Sequence, residues 1–353
     1  MKRVNTFIKF SVVAAVIALL VLIVIKPDIC KNGAVSGILL CGRVLIPSLF
    51  PFSVCVLFLM KSGMTDYAKK LSPVTTRLLG LSGDMFCIVL LSFLGGYPIG
   101  AKLLNEAAKN KKISPKAAGR ILNFSVNAGP AFVVAAVGNG IMGSKKLGYI
   151  LLISHIAASF IIMLLARPHP EKDKAEISNK PYPNTADCFV LSVSDGSAVT
   201  LSLCAFVILF SVISAYTEYF SAYFNALVYL SNILEVTTAV AKTGNIYFIS
   251  FLLGFAGISV WCQIMSAGRY IKINFLSFAF FRILHGIISS ILTAVIIKAS
   301  GFAVPCITNS VKFSFDVFYS TPALSVSLLI MGTLFLISVF SKKQAGKLLE
   351  DVV

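Results

Sequence analysis

Apolar residues along this chain come in blocks of near-membrane length, separated by short and mostly basic connectors. The first block, Phe7 to Ile25, is broken only by Lys9 and a few small polar residues. Ala34 to Met60 follows, carrying Arg43, Pro47 and Pro51; then come Leu78 to Leu104, Ile121 to Met142 and Leu147 to Ala166. Arg167 to Asp187 is polar and holds four prolines. Beyond it lie Phe189–Ala215, Phe220–Ala241, Ile246–Ala267, Phe275–Ile297 and Ala323–Phe340. About 20 apolar residues in a helix cross the hydrocarbon layer of a bilayer. The pattern therefore predicts an all-α, polytopic transmembrane helical bundle.

Two of these blocks are interrupted in their interiors. Leu78–Leu104 contains GGYPIG (Gly95 to Gly100), and Ile121–Met142 contains NAGP (Asn127 to Pro130). Glycine permits positive φ and close backbone approach, while proline removes a donor and stops the incoming helix. Both blocks begin and end at basic connectors, Lys61 to Arg77, Lys102 to Arg120, and Lys145-Lys146. Broken or re-entrant helices that return to one side account for this, and two kinked ordinary spans are the other reading. Irregular backbone at membrane depth must be buried in protein or line a wet cavity.

The two halves also show a weak internal repeat. KKISPKAAGRIL (Lys111 to Leu122) and INFLSFAFFRIL (Ile273 to Leu284) end in the same triplet, and SFLGGYPIG pairs with LGFAGISVW (Leu253 to Trp261) at a similar offset. Two internal repeats with interrupted helices at matching positions point towards a secondary transporter. The resulting division is an N-terminal transmembrane helix over residues 1–33, a first repeat over 34–166 and a polar loop over 167–187. A second repeat with a C-terminal helix covers 188–341, and a basic tail covers 342–353.

Composition narrows the function. The chain has 353 residues, 57% of them hydrophobic, and 31 Lys+Arg against 14 Asp+Glu. In a soluble protein that excess would suggest nucleic acid. Here the bases sit in the connectors, where the preference of cytoplasmic loops for Lys and Arg explains them, so no nucleic-acid partner is expected. The same rule puts both termini in the cytoplasm. No CxxC pair or HExxH context appears among the 8 cysteines and 3 histidines, so no metal site and no cofactor is expected. Nor is there a Ser/His/Asp arrangement or a phosphate-cradling loop, which argues against an enzyme. The expected surroundings are the lipid bilayer, with a homo-oligomer possible.

The candidate substrate-binding residues follow from the interruptions. Gly95, Gly96, Tyr97 and Pro98 unwind one helix beside a hydroxyl. Asn127, Gly129 and Pro130 free the backbone beside an amide that both donates and accepts. Both interruptions could equally be packing kinks. Glu235, in LSNILEVTTAV, is the clearest carboxylate in an apolar block, and intramembrane ionisable groups are functional candidates. An ion pair with an arginine is the competing role for it. Arg120, Arg282 and His285 are secondary candidates, for which snorkelling to the interface is the alternative. His155 reads as a satisfied core histidine.

GGYPIGAK (Gly95 to Lys102), ISPKAAGRILNFSVNAGPAF (Ile113 to Phe132), VGNGIMG (Val137 to Gly143) and LISHIAAS (Leu152 to Ser159) together form a recognisable set. This stretch resembles the nucleoside-recognition (Gate) domain as it occurs in the sporulation integral membrane protein YlbJ family. LFPFSV (Leu49 to Val54), LEVTT (Leu234 to Thr238) and GFAGISV (Gly254 to Val260) resemble that family as well. The resemblance implies a multi-pass protein of the bacterial cytoplasmic membrane, needed in sporulation, that handles a small polar, nucleoside-like solute. A non-transporting scaffold that recruits partners is the rival.

Overall fold

The computed structural model describes residues 2–67, 70, 72–166 and 184–301. The C-terminal helix expected near residues 323–340, the basic tail and most of the polar loop lie outside the described residues. Every described element is helical, and no strand occurs among the described residues. Among the described residues, five helical stretches are long and apolar enough to cross a membrane: Pro27–Lys61, Lys145–Leu165, Thr185–Ser221, Ile246–Ala267 and Phe275–Ser300.

Helix α1 (Lys2–Ile25) ends one residue before α2 (Pro27–Leu40), which starts on a proline whose missing N–H would have had no partner there. The division expected between residues 33 and 34 thus falls inside α2. A π-helical turn at Cys41–Leu45 joins α2 to α3 (Ile46–Lys61). Two short helices, α4 (Met64–Tyr67) and α5 (Ser72–Leu79), lead to α6 (Gly83–Gly95), α7 (Tyr97–Lys109) and α8 (Pro115–Ser125). After an extended stretch, a π-helical segment at Ala131–Ile141 precedes α9 (Lys145–Leu165).

The longest element is α10 (Thr185–Ser221), 37 residues and therefore about 55 Å at 1.5 Å per residue. It runs antiparallel to α2 and α3. Gly33 and Gly37 admit its backbone so closely that an added Cβ on either would sit 2.8 Å from the Cα of Val212 or Ile208. Towards the other end, Gly196 of α10 faces Val54. Small residues four apart let membrane helices touch backbone to backbone, where van der Waals packing must replace the hydrophobic drive. The Tyr216 hydroxyl then donates to the Leu22 and Lys26 carbonyls, at 3.1 and 3.0 Å, fastening the end of α1.

The remaining elements are α11 (Ala226–Leu234), α12 (Val236–Lys242), α13 (Ile246–Phe255), α14 (Gly257–Ala267) and α15 (Phe275–Ser300). Gly254 and Gly286 bring α13 against α15, where the Ser250 hydroxyl also lies 2.9 Å from Ser289 and 2.8 Å from Thr293. Around this core the outward faces are apolar: Phe10, Leu20, Val24, Leu276 and Phe280 are each more than half exposed. An apolar exterior over a core holding charge is the inverse of a water-soluble protein, and it matches a lipid surrounding.

Candidate functional site

The GGYP interruption reverses the chain. Gly96 separates α6 from α7 at φ 85°, ψ −177°, a conformation essentially reserved for glycine. Residues eight apart in a straight helix lie about 12 Å apart. Yet a Cβ on Gly100 would come within 3.1 Å of the Ser92 Cβ, so α7 doubles back along α6.

The NAGP interruption crosses this turn. A Cβ on Gly96 would lie 3.2 Å from the Gly129 amide nitrogen, and one on Gly129 would lie 3.3 Å from the Gly96 Cα. The two breaks therefore meet backbone against backbone. A second crossing lies in the other half of the chain. Ala256 (φ 74°) and Gly257 (φ 73°) separate α13 from α14. There Gly257 packs against the backbone at Glu235, which separates α11 from α12; an added Cβ would be 3.1 Å from the Val236 nitrogen. Tyr97 links the crossings, since its hydroxyl donates to the Leu253 carbonyl at 2.5 Å. That carbonyl is one of those left without a partner where α13 ends, and the Trp261 indole takes another by donating to Phe255 (2.8 Å).

Most polar groups released at NAGP are also claimed. Arg282, fully buried on α15, donates through its guanidinium to the carbonyls of Val126 (2.5 Å) and Asn123 (2.6 Å), so it caps the C-terminal end of α8 with positive charge. Snorkelling is thereby excluded for Arg282. The Ala128 amide donates to His155 Nε2 at 2.9 Å, which puts the ring proton of a neutral His155 on Nδ1. Ser159 donates to Asn127 Oδ1 at 2.6 Å, and Asn127 Nδ2 donates to the Phe124 carbonyl at 3.3 Å. His285 stacks on His155 with ring centroids 4.4 Å apart, and its Nε2 donates to the His155 carbonyl at 3.0 Å. Asn127 is engaged and buried, so its side chain braces the break instead of facing a cavity. His155, expected to be a satisfied core residue, serves the same brace through Nε2, while its buried Nδ1 has no hydrogen-bond partner.

Glu235 behaves differently. It is fully buried and extended at φ −137°, ψ 111°. Its Oε2 accepts from the Thr238 amide at 2.6 Å, capping α12, while Oε1 has no hydrogen-bond partner. No arginine or lysine pairs with it among the described residues, which removes the ion-pair role as the competing explanation.

This carboxylate lines a cavity of about 40 Å³ with Gly95, Gly96, Tyr97, Pro98 and Gly129. Ser53, Thr200, Thr237 and Gln263 supply the polar part of its wall. The volume is that of one or two waters, each taking about 30 Å³ in the liquid. Asn127, Pro130, Arg120, Arg282 and His285 are not among the lining residues; Arg120 is half-buried on α8.

Larger cavities lie on either side along α10. One of about 270 Å³ shares Pro98, Val199, Leu203 and Gln263 with the first and adds Lys102, Asn105, Asp195, Arg269 and Tyr270. Asp195 there pairs with Lys61 (2.8 Å) and Lys102 (3.6 Å). The other, about 290 Å³, lies among Asn32, Ser36, Ser211, Ser214, Glu218 and Lys242, and Glu218 pairs with Lys242. Asp195 and Glu218 are about 35 Å apart along the helix, roughly a bilayer's thickness.

The chain is similar to the sporulation integral membrane protein YlbJ of Bacillus subtilis (strain 168): 24% identical over 324 residues, which is 78% of this chain and 79% of that protein. No family description matches the chain, and no solved structure matches it.

Residues that sequence reasoning passed over include Ser53, Thr200, Thr237 and Gln263 in the central wall and Ser159 in the brace. Each is a small or polar residue inside an apolar block, a signal that many packing hydroxyls share. Only their convergence in space distinguishes them.

Proposed function

We propose that this chain is a carrier for a small polar solute, taken across a bacterial cytoplasmic membrane through the three cavities along α10. The observation that carries this reading is the narrow central cavity at the crossed breaks, with a larger polar cavity on each side of it. In this conformation the centre is too tight for a metabolite, as an occluded state of a carrier would be. The hairpin α6–α7, hinged at Gly96, is the element to move. Its tip re-enters the bilayer, and the half-chains act as two structural repeats, each with one crossing. On this reading the Asp195 cavity and both termini face the cytoplasm, which the Lys and Arg content of the connectors supports.

The similarity to YlbJ supports a role in sporulation, and the resemblance of Gly95 through His155 to the Gate domain supports a nucleoside-like solute. On this reading the protein is a carrier and has no enzymatic activity. The test is uptake of labelled nucleosides, nucleobases and other small metabolites by proteoliposomes holding the purified protein. Uptake of one class is expected, abolished by Gly96→Val, which clamps the hinge. Background uptake of every compound, with sporulation unaffected by Gly96→Val, would leave the scaffold role in its place.

A further inference from the structure

The unpartnered oxygen of Glu235 calls for an explanation of its own. A carboxylate buried without a counter-charge is strongly unfavourable, and such groups are paired, hydrogen-bonded, bound to a cation or neutralised by a proton. Here one oxygen caps α12 and the other, itself enclosed, has no hydrogen-bond partner; the residue borders the 40 Å³ cavity, and Thr237 and Thr238 lie beside the carboxylate. The nearby arginine does not neutralise it, because two of the Arg282 nitrogens are committed to the Asn123 and Val126 carbonyls and no ion pair joins it to Glu235.

We infer that this cavity is a binding site for a small monovalent metal cation of the sodium kind, with Glu235 Oε1 as its charged ligand. The rest of the wall is hard oxygen chemistry. Thr200 and Thr237 contribute hydroxyls, and Ser53, which donates to the Leu49 carbonyl at 2.7 Å, keeps its lone pairs to offer. Gln263 donates through Nε2 to Ser259 at 3.3 Å, leaving its carbonyl oxygen as an acceptor. Charge and ligand number select the ion. Calcium takes six to eight oxygens, commonly with several carboxylates, and magnesium keeps several of its waters. A space of 40 Å³ with one carboxylate suits neither. Because Glu235 separates α11 from α12 and the opposite wall is the Gly96–Gly129 crossing, an ion here would tie the two crossings together. Its use as a coupling ion rests on the carrier reading above; its binding does not.

The experiment is equilibrium binding of radioactive sodium to the detergent-purified protein, alongside thermal unfolding in sodium, potassium or choline chloride at one ionic strength, so that screening is constant. Saturable binding and a sodium-specific rise in the unfolding midpoint are expected for the wild type. Glu235→Gln should weaken binding at least about tenfold, the loss of about 1.4 kcal/mol. Thr200→Val, which keeps the shape and removes one hydroxyl, should weaken it several-fold. Three results would overturn the site: no saturable sodium binding by the wild type, unchanged binding in Glu235→Gln, or stabilisation that follows pH and is identical in all three salts, which would assign the position to a proton. Sodium binding without uptake of any solute would sink the carrier reading and leave the cation site standing.

Discussion

The crossing of Gly96 and Gly129 makes its sharpest prediction through Gly96→Ala. Two penalties add. The φ 85°, ψ −177° conformation costs a residue with a Cβ about 1–3 kcal/mol. The new methyl would also stand 3.2 Å from the Gly129 nitrogen and 3.5 Å from its Cα, backbone atoms that cannot rotate away, and overpacking of this kind costs about 1–3 kcal/mol. The total of about 2–6 kcal/mol corresponds to a midpoint roughly 4–12 °C lower, at about 2 °C per kcal/mol for a large domain. Unfolding can be followed with a thiol-reactive dye, since Cys41, Cys188 and Cys204 are buried thiols. Gly129→Ala should lose less, because only the contact is strained there. The double variant should cost less than the sum, because both methyls compete for one gap. Gly140→Ala, on an exposed position, should be neutral. A Gly96→Ala midpoint within about 1 °C of wild type would refute the reasoning, because neither backbone penalty could then be present.

Arg282→Gln should lower the midpoint more than any other single change in the brace. It leaves two buried carbonyls with at best one neutral donor, at about 1–3 kcal/mol for each one left bare, and unfolding with the same dye reads it. Ser159→Ala strips the donor from Asn127 Oδ1 and should cost about 1–2 kcal/mol, while cation binding at Glu235 stays at the wild-type level; a loss of binding would show that the brace and the cavity are one unit. Gly37→Val would place its Cβ 2.8 Å from the Ile208 Cα, so α2 should separate from α10 and the purified protein should lose its monodisperse profile on size-exclusion chromatography.

How much of this was legible in the sequence depends on the range of the interaction. GGYP and NAGP were legible because glycine and proline act on the backbone where they stand, and Glu235 because a carboxylate is conspicuous among apolar neighbours. The interruption at Ala256 was visible only through the repeat pairing of LGFAGISVW, since an alanine at φ 74° announces nothing. Asn127 was a reasonable ligand candidate by chemistry alone. Its partner Ser159 lies 32 residues away, and Arg282 reaches carbonyls 156 and 159 residues away. One sequence holds no record of which distant groups will use up a donor or acceptor, so candidates for ligand contact and for bracing looked alike.

The contact between Gly96 and Gly129 has a further implication for how such a protein would be dissected. Whatever meets that part of the wall meets amides and carbonyls, and side-chain replacement does not remove those groups. Alanine scanning would therefore register distortion there instead of lost recognition, and selectivity would look diffuse across the map. Replacing single peptide bonds by esters at Tyr97 or Gly129 would probe the missing contacts directly.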